Sequence, residues 1–292
     1  MSNKSEEKAD TFDSFFPKRV SFCLVTKNKA PHLAEALNAY RSSGIIKPED
    51  ELIIIDGNST DQTKEVIRKF LDIVSVFISE PDISGEHALN KAILLSRGKY
   101  IKLITDDDMF HAEALEKAVV IMETYPEIDM LLTGGTKEKK GVNKWNYYAP
   151  AGADYGKSVE DVFRYQGANG CGQLVRKSAY AKTGMLCPVG AMFSDKLQVI
   201  QFIRAGAIVK FCRINSFHHK IYDHSVLNLT REKLEKEILR LAKQYCSKRF
   251  YWQYRTRAFI RGHPRLHKIT SVLGLYKSED KKPSFPWDGG FS

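Results

Sequence analysis

Residues 99–108 read Lys99-Tyr100-Ile101-Lys102-Leu103-Ile104-Thr105-Asp106-Asp107-Asp108, an apolar run that stops at three consecutive carboxylates. The run has the length and composition of a buried strand. Three adjacent carboxylates at its end repel one another, and burying them without compensation is costly. A divalent cation relieves both problems. Carboxylate oxygens suit hard ions such as Mg2+ and Mn2+, which keep coordination positions open for phosphate oxygens. The triplet therefore points to a metal site able to hold a diphosphate. An acidic helix start before His111 is the blander reading, since the helix dipole favours it, but three acids exceed that need.

Working outward, strand and helix alternate. Residues 19–26 form an apolar, β-branched run, after which Pro31 opens a helical pattern with Leu33, Ala36, Leu37 and Tyr40 on one face. Residues 51–56 are a second strand ending in Asp56-Gly57-Asn58-Ser59-Thr60-Asp61, where Ser59 or Thr60 can cap a helix bearing Val66, Ile67 and Phe70. A strand over 74–78, a helix over 84–95, a helix over 111–123 and a strand over 128–132 continue the pattern. This alternation predicts an α/β fold, a mostly parallel sheet flanked by helices. Ligands of such sheets bind beyond the carboxyl ends of the strands. Asp56 and the triplet both lie there, although Asp-Gly is also a turn signal by itself.

Residues 134–156 are rich in Lys, Tyr, Trp and Gly, lack a period, and read as a long functional loop. Its Trp145, Tyr147 and Tyr148 offer either a stacking surface for an acceptor or ordinary packing. A short strand over 170–176 and helices over 178–183 and 195–205 follow, and His218, His219 and His224 come after an apolar stretch ending at Phe217. From Leu234 onward, Ile238, Leu241, Tyr245 and Trp252 keep helical spacing, while 240–268 holds nine basic residues and no acid. The organisation expected is a polar leader over 1–17, an α/β domain over 18–225, and a basic amphipathic helical segment with tail over 226–292.

The net charge of +10 is concentrated in that last segment, which carries 15 Lys and Arg against 6 Asp and Glu. No run approaches the roughly 18–20 apolar residues that span a bilayer, and the start is neither apolar nor signal-like. A cytoplasmic location is expected, with peripheral attachment to the cytoplasmic membrane face through 226–268, since basic side chains near anionic headgroups attract them. The five cysteines are odd in number and widely separated, which fits a reducing compartment.

Val25-Thr26, the 56–61 turn, Glu80-Pro81-Asp82 with Ala88 and Asn90, and the acidic triplet together resemble the family 2 glycosyltransferases of the GT-A fold. The resemblance covers roughly residues 19–215. It implies a metal-dependent, inverting transfer of a sugar from a nucleoside diphosphate sugar, a UDP-sugar foremost, to a hydroxyl of a glycan or lipid-linked saccharide. It implies donor contacts from Thr26, Asp56, Asp82, Asn90, Asp106 and Asp107, and an Asp-x-Asp metal pair at Asp106 and Asp108, with His219 or His224 completing the shell around Mn2+ or Mg2+. Asp195 falls where the catalytic base opens a helix, though Asp is also a preferred N-cap. Gln173, with Trp145 and Tyr147, falls on the acceptor side. The chain departs from the family pattern at Ser84, Ala92 and Ser194, where Gly, Gly and an acid are common.

Two other readings compete. Arg240 to Lys268 with Phe250, Tyr251, Trp252 and Tyr254 interleaved could pair phosphates and stack bases of a nucleic acid, although the charge is confined to one segment and no binding motif accompanies it. A sugar nucleotidyltransferase of similar fold would carry glycines after the first strand, where this chain has Thr26-Lys27-Asn28-Lys29-Ala30.

Overall fold

The computed structural model describes residues 18–139, 142–147, 155–165, 169–186, 192–221 and 231–262. The first half is the alternation expected: β1 (Lys18–Thr26), α1 (Ala30–Ser43), β2 (Glu51–Asp56), α2 (Thr63–Arg68), β3 (Val76–Ser79), α3 (Gly85–Leu95) and β4 (Gly98–Ile104). There follow β5 (Met109–Phe110), α4 (Ala112–Thr124), β6 (Met130–Lys139), β7 (Val142–Tyr147), α5 (Asp161–Arg164), β8 (Gln173–Arg176), α6 (Tyr180–Thr183), α7 (Ser194–Arg204), β9 (Val209–Ile221), α8 (Arg231–Tyr245) and α9 (Lys248–Gly262).

The strands form one sheet in the order β3-β2-β1-β4-β8-β6-β9-β5, with β7 paired to β6. The four strands from β3 to β4 are parallel, and the register sets Thr26 beside Asp56 and Leu24 beside Ile104. Three strands thus end along one edge, as the ligand rule for such sheets requires. Side chains along β1 and β2 alternate between two cores. Val20, Phe22, Leu24, Leu52 and Ile54 pack with Leu33 and Leu37 of α1, Ile67 of α2 and Leu115 of α4. Cys23, Ile53 and Ile55 pack with Ala88 and Ala92 of α3 and Val199 and Phe202 of α7. Burial on both faces explains why these strands read as continuous apolar runs.

Beyond β4 the sheet turns mixed. β8 is antiparallel to both β4 and β6, β6 is parallel to β9, and β5 is antiparallel to β9. Residues 134–156 are therefore not one irregular loop, because β6 runs to Lys139 and returns as β7. Pairing with β9 along the whole of β6 gives extended conformation to Gly134-Gly135-Thr136-Lys137, whose own strand preference is weak. Met109 and Phe110 likewise become a strand through His218 and Phe217 of β9, which moves the start of the following helix to Ala112. Neither Ser59 nor Thr60 caps α2. The Thr63 amide donates instead to Asp61 Oδ1 at 3.0 Å, while Ser84 does cap α3 through the His87 amide at 3.1 Å.

The basic C-terminal segment contributes a pair of helices, one of the two arrangements expected, and they dock on the same body. Leu241 and Ala242 of α8 and Phe250 of α9 are buried in the core that holds α3 and α7. The Phe163 ring lies 6.4 Å from Phe250 and 6.0 Å from Tyr254.

Gly98 shows how closely β1 and β4 approach. A Cβ there would sit 2.5 Å from the Ser21 nitrogen and 2.8 Å from the Val20 carbonyl carbon. The Gly98 amide donates to Ser21 Oγ at 2.8 Å, and that hydroxyl donates to the buried Glu51 carboxylate at 2.6 Å. Gly98→Ala is expected to lower stability by about 1–3 kcal/mol, the range for overpacking. Urea denaturation checks this, and an unchanged midpoint would refute the close-approach argument.

Candidate functional site

The strand ends are held by a set of side-chain to loop bonds. Asp56 is fully buried and accepts from the Ser59 amide at 3.0 Å, from the Ser59 hydroxyl, and from Ser79 Oγ at 2.6 Å. Its carboxylate thus shapes the 57–61 turn and ties it to β3. Asn28, in the left-handed region at φ 54°, accepts from the Thr60 amide at 2.8 Å, while its own amide donates to Ser59 Oγ. The loops after β1 and β2 are laced together in this way. Asp82 receives Lys91 Nζ at 2.6 Å and lies against Gly57, where a Cβ would stand 3.3 Å from its Oδ2. Asn90 spends its amide on the backbone of Leu186, donating at 2.8 Å and accepting at 3.1 Å. It braces that segment to α3.

The acidic triplet leaves β4 in three directions. Asp106 Oδ2 accepts from Thr26 Oγ1 at 2.8 Å, which joins it to the end of β1. Asp107 makes no such link among the described residues and is half-buried. Asp108 is buried, with 2% exposure. It accepts from Thr105 Oγ1 at 2.9 Å and from the Cys171 thiol at 3.1 Å, and His219 Nδ1 lies 2.8 Å from its Oδ1. The Tyr40 hydroxyl donates to the Thr105 and Asp108 carbonyls, fixing the turn from beneath.

Electrostatics separates the three. Burial, then the charges of Asp108 and Asp106, push Asp107 up to about 6. Burial also raises Asp106, despite the hydrogen bond from Thr26 and the nearby Lys29 charge. Burial works the same way on Asp108, but the hydrogen bond and charge of His219, with Cys171 and Thr105, outweigh it and hold the group below the usual carboxylate range. The site therefore keeps one firm carboxylate beside two that a cation would draw into ionisation.

Asp195 joins the site through the 170–173 segment. It lies in the first turn of α7, after Phe193 in the left-handed region at φ 70°. Burial lifts its proton affinity, opposed by Lys196, by the Lys196 and Gly170 amides and by the charge of His219. His219 is thus close enough to act on both Asp108 and Asp195. Gln173 is buried and donates to the Asp195 carbonyl at 3.3 Å, so it positions the start of α7. Trp145 pairs with Lys137 of β6, which pairs with His219 of β9, so Trp145 lies two strands, about 10 Å, from that histidine. Tyr147 is on the same strand, while His224 and Tyr148 lie outside the described residues.

Sequence reading missed Lys102 and Cys171. Lys102 is buried, donates to the Cys171 carbonyl and, at 3.4 Å, to that of Gln173, and is lowered to about 8 by burial. A lysine inside the apolar 100–104 run was the available signal. Among the described residues, Asp108, Cys171 and His219 bring ligand atoms within 4.8 Å of one another. Carboxylate, imidazole and thiol in this arrangement fit a divalent cation.

Residues 21–196 match the model of glycosyl transferase family 2. Among curated relatives, the chain is 25% identical over 128 residues to the poly(ribitol-phosphate) beta-N-acetylglucosaminyltransferase TarS of Staphylococcus aureus, covering 43% of this chain and 22% of TarS. It is 29% identical over 122 residues to the glycosyltransferase AglE of Haloferax volcanii, covering 41% and 39%. The matches thus span well under two thirds of these relatives. Among solved structures, S. aureus TarS 1–349 with UDP-GlcNAc superposes with a TM-score of 0.60 at 14% identity, over 77% of this chain and 65% of that one. The mannosyltransferase PcManGT of Pyrobaculum calidifontis with GDP-Man and Mn2+ gives 0.60 at 15% identity, over 89% and 76%. These likenesses establish the GT-A fold.

Asp107 makes the metal-free protein sensitive to pH. Its folded form holds a proton that the unfolded chain has lost between about pH 4 and about pH 6, so stability falls as pH rises through that window. Denaturation in EDTA should show this decline, and Asp107→Asn should flatten it. An unchanged slope in the variant would contradict the assignment.

Proposed function

Since the chain belongs to glycosyl transferase family 2, we propose that it transfers a sugar from a nucleoside diphosphate sugar, a UDP-sugar foremost, to a hydroxyl of a glycan or lipid-linked saccharide, with inversion at the anomeric carbon. The observation that carries this reading is the contact of Asp108, just past β4, with His219 of β9, with Asp195 held nearby through Gln173 and Gly170. Thr26, Asp56, Asp82 and Asn90 shape the donor side, the first two at the ends of β1 and β2, Asp82 in the loop after β3 and Asn90 through Leu186. Asp108 and His219, with Asp106 and Asp107 alongside, would hold Mn2+ or Mg2+, which when bound supplies charge neutralisation for a diphosphate leaving group. Asp195 accepts the proton of the acceptor hydroxyl. Its raised proton affinity makes it a stronger base than a solvated carboxylate. The acceptor side then falls to Gln173 and to β7 with Trp145 and Tyr147. The complex of TarS with UDP-GlcNAc supports a uridine donor, and that of PcManGT with GDP-Man and Mn2+ supports the cation.

A membrane-facing role for the C-terminal segment has its own support. No helix among the described residues is long and apolar enough to cross a membrane. α9 nevertheless exposes Trp252 and Phe259, at 58% and 56%, seven residues apart on one face. Lys248 and Arg255 share that face, and the Arg255 guanidinium lies 5.0 Å from the Trp252 ring. Aromatic anchors flanked by basic groups fit the interface of an anionic bilayer.

Three outcomes test these readings. Asp195→Asn should lower kcat by about 10²- to 10⁴-fold while leaving donor affinity intact, and full turnover would remove Asp195 as the base. The nucleotide product should be the nucleoside diphosphate. Release of pyrophosphate would favour a nucleotidyltransferase. The double variant Trp252→Ala, Phe259→Ala should sediment less with phosphatidylglycerol vesicles than the parent chain, and equal sedimentation would exclude α9 as the contact.

A further inference from the structure

The proposed function gives Cys171 no role, although it clusters with Asp108 and His219 and its thiol points at the carboxylate on which that function depends. Its Sγ donates to Asp108 Oδ2 at 3.1 Å, and His219 Nδ1 lies 3.0 Å from the same oxygen. The main chain around it is held in place. Asn169 Oδ1 accepts from its amide at 2.8 Å, and Lys102 donates to its carbonyl. The next residue, Gly172, lies so close to β6 that a Cβ would stand 2.4 Å from the Thr133 carbonyl oxygen. In the metal-free protein, burial and the neighbouring Asp108 carboxylate hold the Cys171 thiol protonated, well above its ordinary range, against the smaller pull of Lys102.

We propose that Cys171 is a ligand of the divalent cation, donating a thiolate beside Asp108 and His219, so that the site favours ions that accept sulfur over purely oxygen-seeking ones. This rests on the cation of the proposed function and adds to it the identity of one donor. The three ligand atoms are already gathered within 4.8 Å. On binding, the thiol proton leaves to solvent and the Sγ–H···O bond to Asp108 is replaced by bonds from both atoms to the metal. A carboxylate, an imidazole and a thiolate form a borderline donor set, suited to Zn2+ and Co2+ at least as well as to Mn2+, whereas Mg2+ prefers oxygen throughout.

Cobalt(II), added to the full chain alone and with UDP, separates the outcomes. Its visible d–d bands report binding whatever the ligands, and a near-ultraviolet sulfur-to-cobalt charge-transfer band reports a thiolate. The band is expected in the parent chain, in Cys187→Ser and in Cys246→Ser, and is expected to be lost in Cys171→Ser. Visible bands without the charge-transfer band would overturn the thiolate while leaving the cation reading intact. Absence of both would overturn the two together. Should Cys171→Ser fail to fold, zinc K-edge absorption on the parent chain decides: one sulfur at about 2.3 Å supports the proposal, and a shell of nitrogen and oxygen alone refutes it.

Discussion

The structure turns on a buried carboxylate. Asp108 is 2% exposed at the end of an apolar strand, and an ionised group there must find partners or give up its charge. It finds them in three separate pieces of chain: Thr105 in its own turn, Cys171 before β8 and His219 near the end of β9. Each partner must be carried to one point, and the mixed half of the sheet is arranged so that it is. β8 pairs with β4 and brings the 169–173 turn alongside, while β9 reaches the site by pairing with both β6 and β5. Asp195 follows through Gln173 and Gly170.

Much of this was legible in the chain. The parallel half announces itself through apolar runs separated by helical periods, because those strands are buried on both faces. Asp56 and the triplet could be placed beyond strand ends on that basis alone. The mixed half was harder, since residues 133–139 are extended by their neighbours rather than by their own preference. Lysines and glycines there suggested a loop, and only the pairing with β9 makes them a strand.

The same limit applies to the site. His219 could be set beside His224 as a candidate, but choosing between them needs the register of β9 against β5 and β6, a long-range quantity with no local signature. Cys171 and Lys102 looked like ordinary occupants of apolar segments. Their roles depend on Cys171 facing the turn after β4 and on Lys102 finding carbonyls in place of a carboxylate. The nucleic-acid reading loses its footing for a structural reason too: Phe250 and Tyr254 are turned into packing against Phe163 and are not free to stack on bases.

Anomalous diffraction at the manganese edge, from crystals grown with UDP and Mn2+, should show a single strong peak bonded to both the Asp108 carboxylate and the His219 ring. A peak held elsewhere, with the direct contact between Asp108 and His219 intact, would contradict that assignment.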